Sequence, residues 1–154
     1  MKVVDIRKAI VKKLAELGID VEYENINKID RPCYFVDLLT YYKEWDSNYR
    51  ELKTLNYDIM YFPKKKEGNN TETWEALENV DNHFEVFGNK ILPVLDRRLT
   101  MADTNMRIVD TVGHYEFSIS LFDQYGKPYD YELMQELEVK FKDLNLSFKS
   151  QRRE

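Results

Sequence analysis

Two stretches of the chain carry apolar residues at helical spacing. From Val3 to Leu17, the residues Ile6, Ile10, Leu14 and Leu17 recur at intervals of three and four and share one stripe of a helix. Asp5 in the first turn and Lys12 and Lys13 near the end suit the helix dipole. Gly18 is a natural stop. From Thr71 to Phe87, Trp74, Leu77, Val80, Phe84 and Phe87 predict a second stripe, with Thr71 or Thr73 as cap and Gly88–Asn89 as terminator.

Other stretches alternate with period two. Pro32 to Tyr42 puts Cys33, Phe35, Asp37 and Leu39 on one side and Tyr34, Val36 and Leu38 on the other. Tyr49 to Phe62 alternates at Leu55, Tyr57, Ile59 and Tyr61, and Pro63 ends it. The polar run Lys43–Asn48 between them predicts a turn, which makes a long hairpin. Asn105–Asp110 and His114–Asp123 predict a second hairpin, with Phe117, Ile119 and Leu121 inward and Glu116, Ser118 and Ser120 outward. Val21–Ile26 predicts a short strand, Ile91–Met101 a strand or a bend at Pro93, and Lys64–Asn70 and Gln124–Pro128 turns or loops.

The end of the chain satisfies both periods. Leu133, Leu137, Phe141 and Leu144 fit a helix, while Leu137, Val139 and Phe141, then Leu144, Leu146 and Phe148, fit strands. The reading adopted is a short helix followed by a strand-like arm from about residue 130. The whole is then one α+β domain over residues 1–154: a mainly antiparallel sheet, two amphipathic helices packed on one face, a long β-hairpin and a C-terminal arm.

Composition narrows the function. A chain of 154 residues with 43% hydrophobic and 33% charged positions can bury a full core, so disorder is excluded. Eleven tyrosines fill strands and also suit protein contacts. A net charge of −5 disfavours general nucleic-acid binding. From Lys140 to Glu154, however, five bases face two acids, a net +3 that leaves −8 on residues 1–139. A basic arm on an acidic body suits docking onto a neighbouring copy. The candidate contact residues are Lys43, Trp45, Tyr49 and Arg50 at the hairpin tip, and Tyr129, Tyr131, Phe141, Phe148, Lys149 and Arg152 in the arm.

Chemistry is sparse. Cys33 is the single cysteine, so no internal disulfide forms, and its apolar strand makes it an inert thiol. His83 and His114 are the two histidines, and neither sits in a ligand-spaced cluster. Asp37, the one inward-looking acid, reads as an exposed strand residue rather than a general base. No phosphate-binding loop or nucleophile elbow is present. No apolar run approaches the ~20 residues of a membrane span, and the first residues lack a signal-peptide core. No catalytic residue, cofactor or metal is expected.

Three blocks carry a family resemblance: Arg31-Pro32-Cys33-Tyr34-Phe35-Val36, Tyr57-Asp58-Ile59-Met60-Tyr61-Phe62-Pro63, and Ile108-Val109-Asp110-Thr111-Val112-Gly113-His114-Tyr115. In that order they resemble the tail terminator (tail completion) proteins of bacteriophages and prophages from Gram-positive hosts. Phe35 is shifted by one from the family pattern, and Tyr115 replaces a Phe. Thr111 stands where Gly is common, with Gly113 expected to supply the turn. The resemblance implies a structural virion protein and no enzyme. It implies a hexameric ring at the head-proximal end of the tail, assembled in the host cytoplasm. That ring would end tail-tube polymerisation and join the tail to the head connector or neck proteins, with a tail sheath as a further neighbour. DNA would pass through its lumen without specific recognition. The alternatives are another neck or head–tail connector component and, from a different class, a small metal-dependent hydrolase or nuclease.

Overall fold

A computed structural model of the chain describes residues 1–47, 50–65, 70–124, 136–141 and 144–149, with backbone alone for Lys28 and the last two segments. Its first helix, α1 (Val3–Ala15), buries Ile6, Ile10 and Leu14, the stripe set by their spacing. The Asp5 carboxylate accepts the Lys2 backbone N–H at 3.1 Å and satisfies one donor of the first turn. Strand β1 (Asp20–Glu22) is shorter than expected and gives way to a 3₁₀ turn at Ile26–Lys28.

Strands β2 (Cys33–Ser47) and β3 (Arg50–Phe62) form the long hairpin. The polar run expected to be a turn is strand as far as Ser47, with Lys43 opposite Lys53 and Trp45 opposite Glu51. A strand exposed on both faces carries no alternation, so its ladder was invisible in the residue pattern.

Helix α2 (Asn70–Phe84) buries Thr73, Ala76, Leu77, Val80 and Phe84. Trp74 is 41% exposed and Phe87 fully exposed, so neither belongs to the buried stripe. Trp74 lies on its flank, and the helix stops before Phe87. Phe87 and Gly88, both at positive φ, turn the chain between β4 (Glu85–Val86) and β5 (Asn89–Val94). Thr73 is not a cap. It is buried inside the helix, and its hydroxyl donates to the Thr111 carbonyl at 3.5 Å.

Strands β6 (Arg97–Val109) and β7 (Val112–Gln124) form the second hairpin. Asp110 and Thr111, at φ 49° and 70°, make its turn. Gly113 does not supply that turn. It lies in β7 under α2, where a Cβ would fall 2.7 Å from Thr73 Cγ2 and 3.1 Å from Leu77. Its lack of a side chain lets the helix approach the sheet.

The seven strands lie in the order β1-β2-β3-β7-β6-β5-β4. Among the described residues only β1–β2 is parallel. Both helices contribute to one apolar cluster on one sheet face, with Tyr34, Val36, Leu55, Tyr57, Ile59, Tyr115, Phe117 and Ile119. The tyrosines of this face reach the helices. Tyr34 donates to the Ala76 carbonyl at 3.3 Å, Tyr115 to Asp81 at 2.8 Å and Tyr61 to Glu72 at 3.0 Å.

The chain's end forms a separate two-stranded sheet, β8 (Glu136–Phe141) with β9 (Leu144–Lys149). Of the short helix and strand-like arm expected here, the described residues are strand from Glu136, and residues 131–135 lie outside the described residues. The period-two pattern prevailed over the 3.6 spacing.

Candidate assembly surface

The far end of the β2–β3 hairpin collects three of the expected contact residues, Lys43, Trp45 and Arg50. Register places Lys43 and Trp45 on the helix side of the sheet, opposite Lys53 and Glu51. Lys43 Nζ lies 2.7 Å from Glu51 Oε2, and Lys53 Nζ bridges Glu51 and Asp123 at 2.9 Å each. The Met1 amine also pairs with Asp123, and Arg97 Nη2 stands 3.4 Å from it.

These partners shift the carboxyls. Hydrogen bonds from Lys43, then Lys53, hold Glu51 below the usual range. Burial pushes Asp123 up, but the Met1 amine and Lys53 more than offset it and bring the carboxyl to about 2. The hairpin end is thus cross-braced by ion pairs.

Around this brace the surface is aromatic. Trp45 is 62% exposed, Tyr42 58%, Tyr41 43% and Phe122 49%. On the opposite face the Arg50 guanidinium lies 4.4 Å above the Phe122 ring and 2.6 Å from Asp46. Exposed aromatics beside Arg and Lys are the composition of a protein contact surface.

Phe122, Tyr41, Tyr42, Glu51, Lys53 and Asp123 were missed in the sequence. Their grouping depends on register between three strands, which spacing along one strand does not carry. Of the other expected residues, Tyr49, Tyr129, Tyr131 and Arg152 lie outside the described residues. Phe141, Phe148 and Lys149 fall in the terminal sheet, opposite Leu144, Leu137 and Glu136.

Both histidines have structural partners. His83 Nε2 is 2.9 Å from the Lys13 carbonyl and 3.0 Å from Glu16, tying α2 to α1. His114 Nδ1 is 2.7 Å from Asp58 Oδ2 on the sheet face away from the helices. Burial raises the Asp58 carboxyl, and the His114 contact offsets part of that rise. Cys33 is fully buried with Phe35 and Phe62, and burial pushes its thiol up, so it is held protonated. Asp37 is exposed. Among the described residues no three His, Cys, Asp or Glu side chains gather as a metal site. No described helix is long and apolar enough to cross a membrane.

A family model described as phage tail terminator protein matches residues 5–129. No curated protein matches the chain.

Proposed function

Because this chain belongs to the phage tail terminator family, a family of structural tail-assembly proteins, we propose that it closes into a ring on the head-proximal end of a tail tube. The ring ends tube polymerisation and presents its other side to the head connector or neck proteins. A hexamer matches a six-fold tube, and a Gram-positive host follows from the motif resemblance. The observation that carries this reading is the family match across most of the chain. The exposed aromatic end of the β2–β3 hairpin supports it as a surface suited to neighbours. The physics is simple: a growing tube end binds whatever offers a complementary ring. A ring that binds there without reproducing that end above itself stops growth.

The test is in vitro. Purified tube subunits polymerise with and without this protein, and tube lengths are measured by electron microscopy. Substoichiometric protein is expected to shorten the tubes and to appear at one end of each. An unchanged length distribution with unlabelled ends overturns the reading.

A further inference from the structure

The sheet leaves two backbone edges open. Among the described residues β2 pairs with β1 only over Cys33–Phe35, so from Asp37 to Tyr42 it has β3 on one side and no strand on the other. On the far side, β6 pairs with β5 only over Arg97–Thr100, so from Met101 to Val109 its sole strand neighbour among the described residues is β7. Open edges of this length are ladders awaiting a partner.

We propose that the β2 edge of one copy pairs, antiparallel, with the β6 edge of the next, so that the sheets of neighbouring copies run on as one. This rests on the ring reading above and names the joint within it. Three observations select this pairing over the alternatives.

The first is direction. β2–β3, β3–β7 and β7–β6 are all antiparallel. Four alternating strands leave β2 and β6 running opposite ways. Copies related by a rotation about an axis along the strands therefore present antiparallel edges without any flip. Such a contact is head-to-tail, the kind that closes into a ring.

The second is charge. The open run of β2 carries Asp37, with Glu44 and Asp46 against Lys43 farther along the strand, while the open run of β6 carries Arg107 against Asp103. Pairing β2 with a second β2 gathers its acids with no added base except Lys43, whereas pairing it with β6 brings Arg107 to the acidic strand.

The third is the match of faces. Tyr41 shares the helix side of the sheet with Leu55, and Met106 shares it with Tyr115. Continuing the sheet brings exposed Tyr41 beside Met106 and Ile108, two partly buried residues packed on the main core. On the other side Asp37 and Glu44, opposite Asp58 and Leu52, meet the face of Arg107, opposite His114. Each open edge also carries one bulge, at Leu38/Thr40 and at Ala102/Asn105, so regular pairing starts beyond it. The open runs are offset along the sheet: Asp37 lies in the row of Glu116, and Val109 in that of Val112. Closing a sheet on itself requires a stagger of that kind.

The experiment is cross-linking of the full chain. Tyr42→Cys and Arg107→Cys are made separately, on exposed edge positions, with buried Cys33 as the background thiol. A short bismaleimide spans a two-residue change in register, about 7 Å. Cross-linked dimers are expected when the two variants are mixed, and not from either alone. The double variant is expected to yield a ladder ending at the ring mass found by light scattering of the unmodified chain. Dimers from Tyr42→Cys alone overturn the proposal in favour of a two-fold joint. Rings that form without any Tyr42–Arg107 cross-link overturn it while leaving the capping function standing. Loss of all cross-links only when residues 131–154 are present assigns the edge to the chain's own terminal strands and also overturns it. A wild-type chain that stays monomeric, even with tube ends present, overturns the ring and the joint together.

Discussion

Gly113 shows how one missing atom sets the distance between two layers. A methyl group there would lie 2.7 Å from Thr73 Cγ2 and 3.1 Å from Leu77, inside the packed contact of α2 on β7. Gly113→Ala is therefore expected to cost about 1–3 kcal/mol through overpacking, read as a lowered denaturation midpoint. Adding Thr73→Ser removes the nearest clashing carbon, so the double variant should recover part of the loss. Asp123 makes a second prediction, with pH as the variable. Its folded carboxyl titrates at about 2, against an ordinary 3.8. A depressed carboxyl contributes stability above its unfolded value that is lost as pH falls through the folded one. Wild type should lose on the order of 1 kcal/mol between about pH 4 and pH 2 that Asp123→Asn does not, the figure being reduced for screening at this partly exposed site. Parallel melts of both proteins across that window check it. Equal slopes would remove Asp123 from the account.

At the scale of elements, α2 separates two aromatic residues that spacing alone had grouped. Phe84 is fully buried in the main cluster, and Trp74 is 41% exposed on the flank. Phe84→Ala is expected to cost about 3–5 kcal/mol and Trp74→Ala less than about 1 kcal/mol, measured by chemical denaturation. Comparable losses would mean that Trp74 packs more deeply than its exposure indicates. The same contrast explains what was readable in the sequence. Ile6, Ile10 and Leu14 face a continuous core, so their period is clean, and Leu55 to Tyr61 and Tyr115 to Leu121 alternate because the helices cover one sheet face and leave the other more open. The end of β2 past Tyr42 has neither face covered, so Lys43–Ser47 looked like a turn while hydrogen-bonding as a strand. β5 was ambiguous because Pro93 suggested a break. It sits where β4 no longer pairs and faces Arg98 on β6 only. Of the contact surface, Trp45 and Arg50 were legible as aromatic and basic residues in a polar run. Phe122 was not, because it joins them only through the register Leu52–Phe122. Trp45→Ala should leave the melting temperature within about 1 kcal/mol of wild type in stability terms while weakening ring formation, seen as a lower mass by light scattering. Unchanged assembly would remove the hairpin end from the contact surface.

At the scale of the whole molecule, the family match and the main sheet nearly coincide. The match runs over residues 5–129, and the seven-stranded sheet with both helices is complete by Gln124. Among the residues whose side chains are described, those of the main apolar cluster lie between Met1 and Leu121. Those strands pair with each other through register Leu137–Phe148 and Phe141–Leu144. The basic residues of 140–154 belong to this end of the chain, while residues 1–139 carry −8. A chain end that is basic over residues 140–154 on an acidic body is suited to reach a second molecule: apolar positions supply area and charge supplies register. A chain cut after Asp130 is thus expected to fold with a wild-type near-ultraviolet spectrum and a melting temperature within a few degrees. Its assembly should change, either as a smaller particle mass or as rings that no longer shorten growing tubes. Raised salt should mimic part of that loss in the intact chain, since exposed charges are screened over about 8 Å at physiological ionic strength. If the cut chain folds, forms rings and caps tubes as well as the full chain does, residues 131–154 play no part in tail closure. If it fails to fold, the terminal strands complete the core after all, and the contact role passes to the β2–β3 hairpin alone.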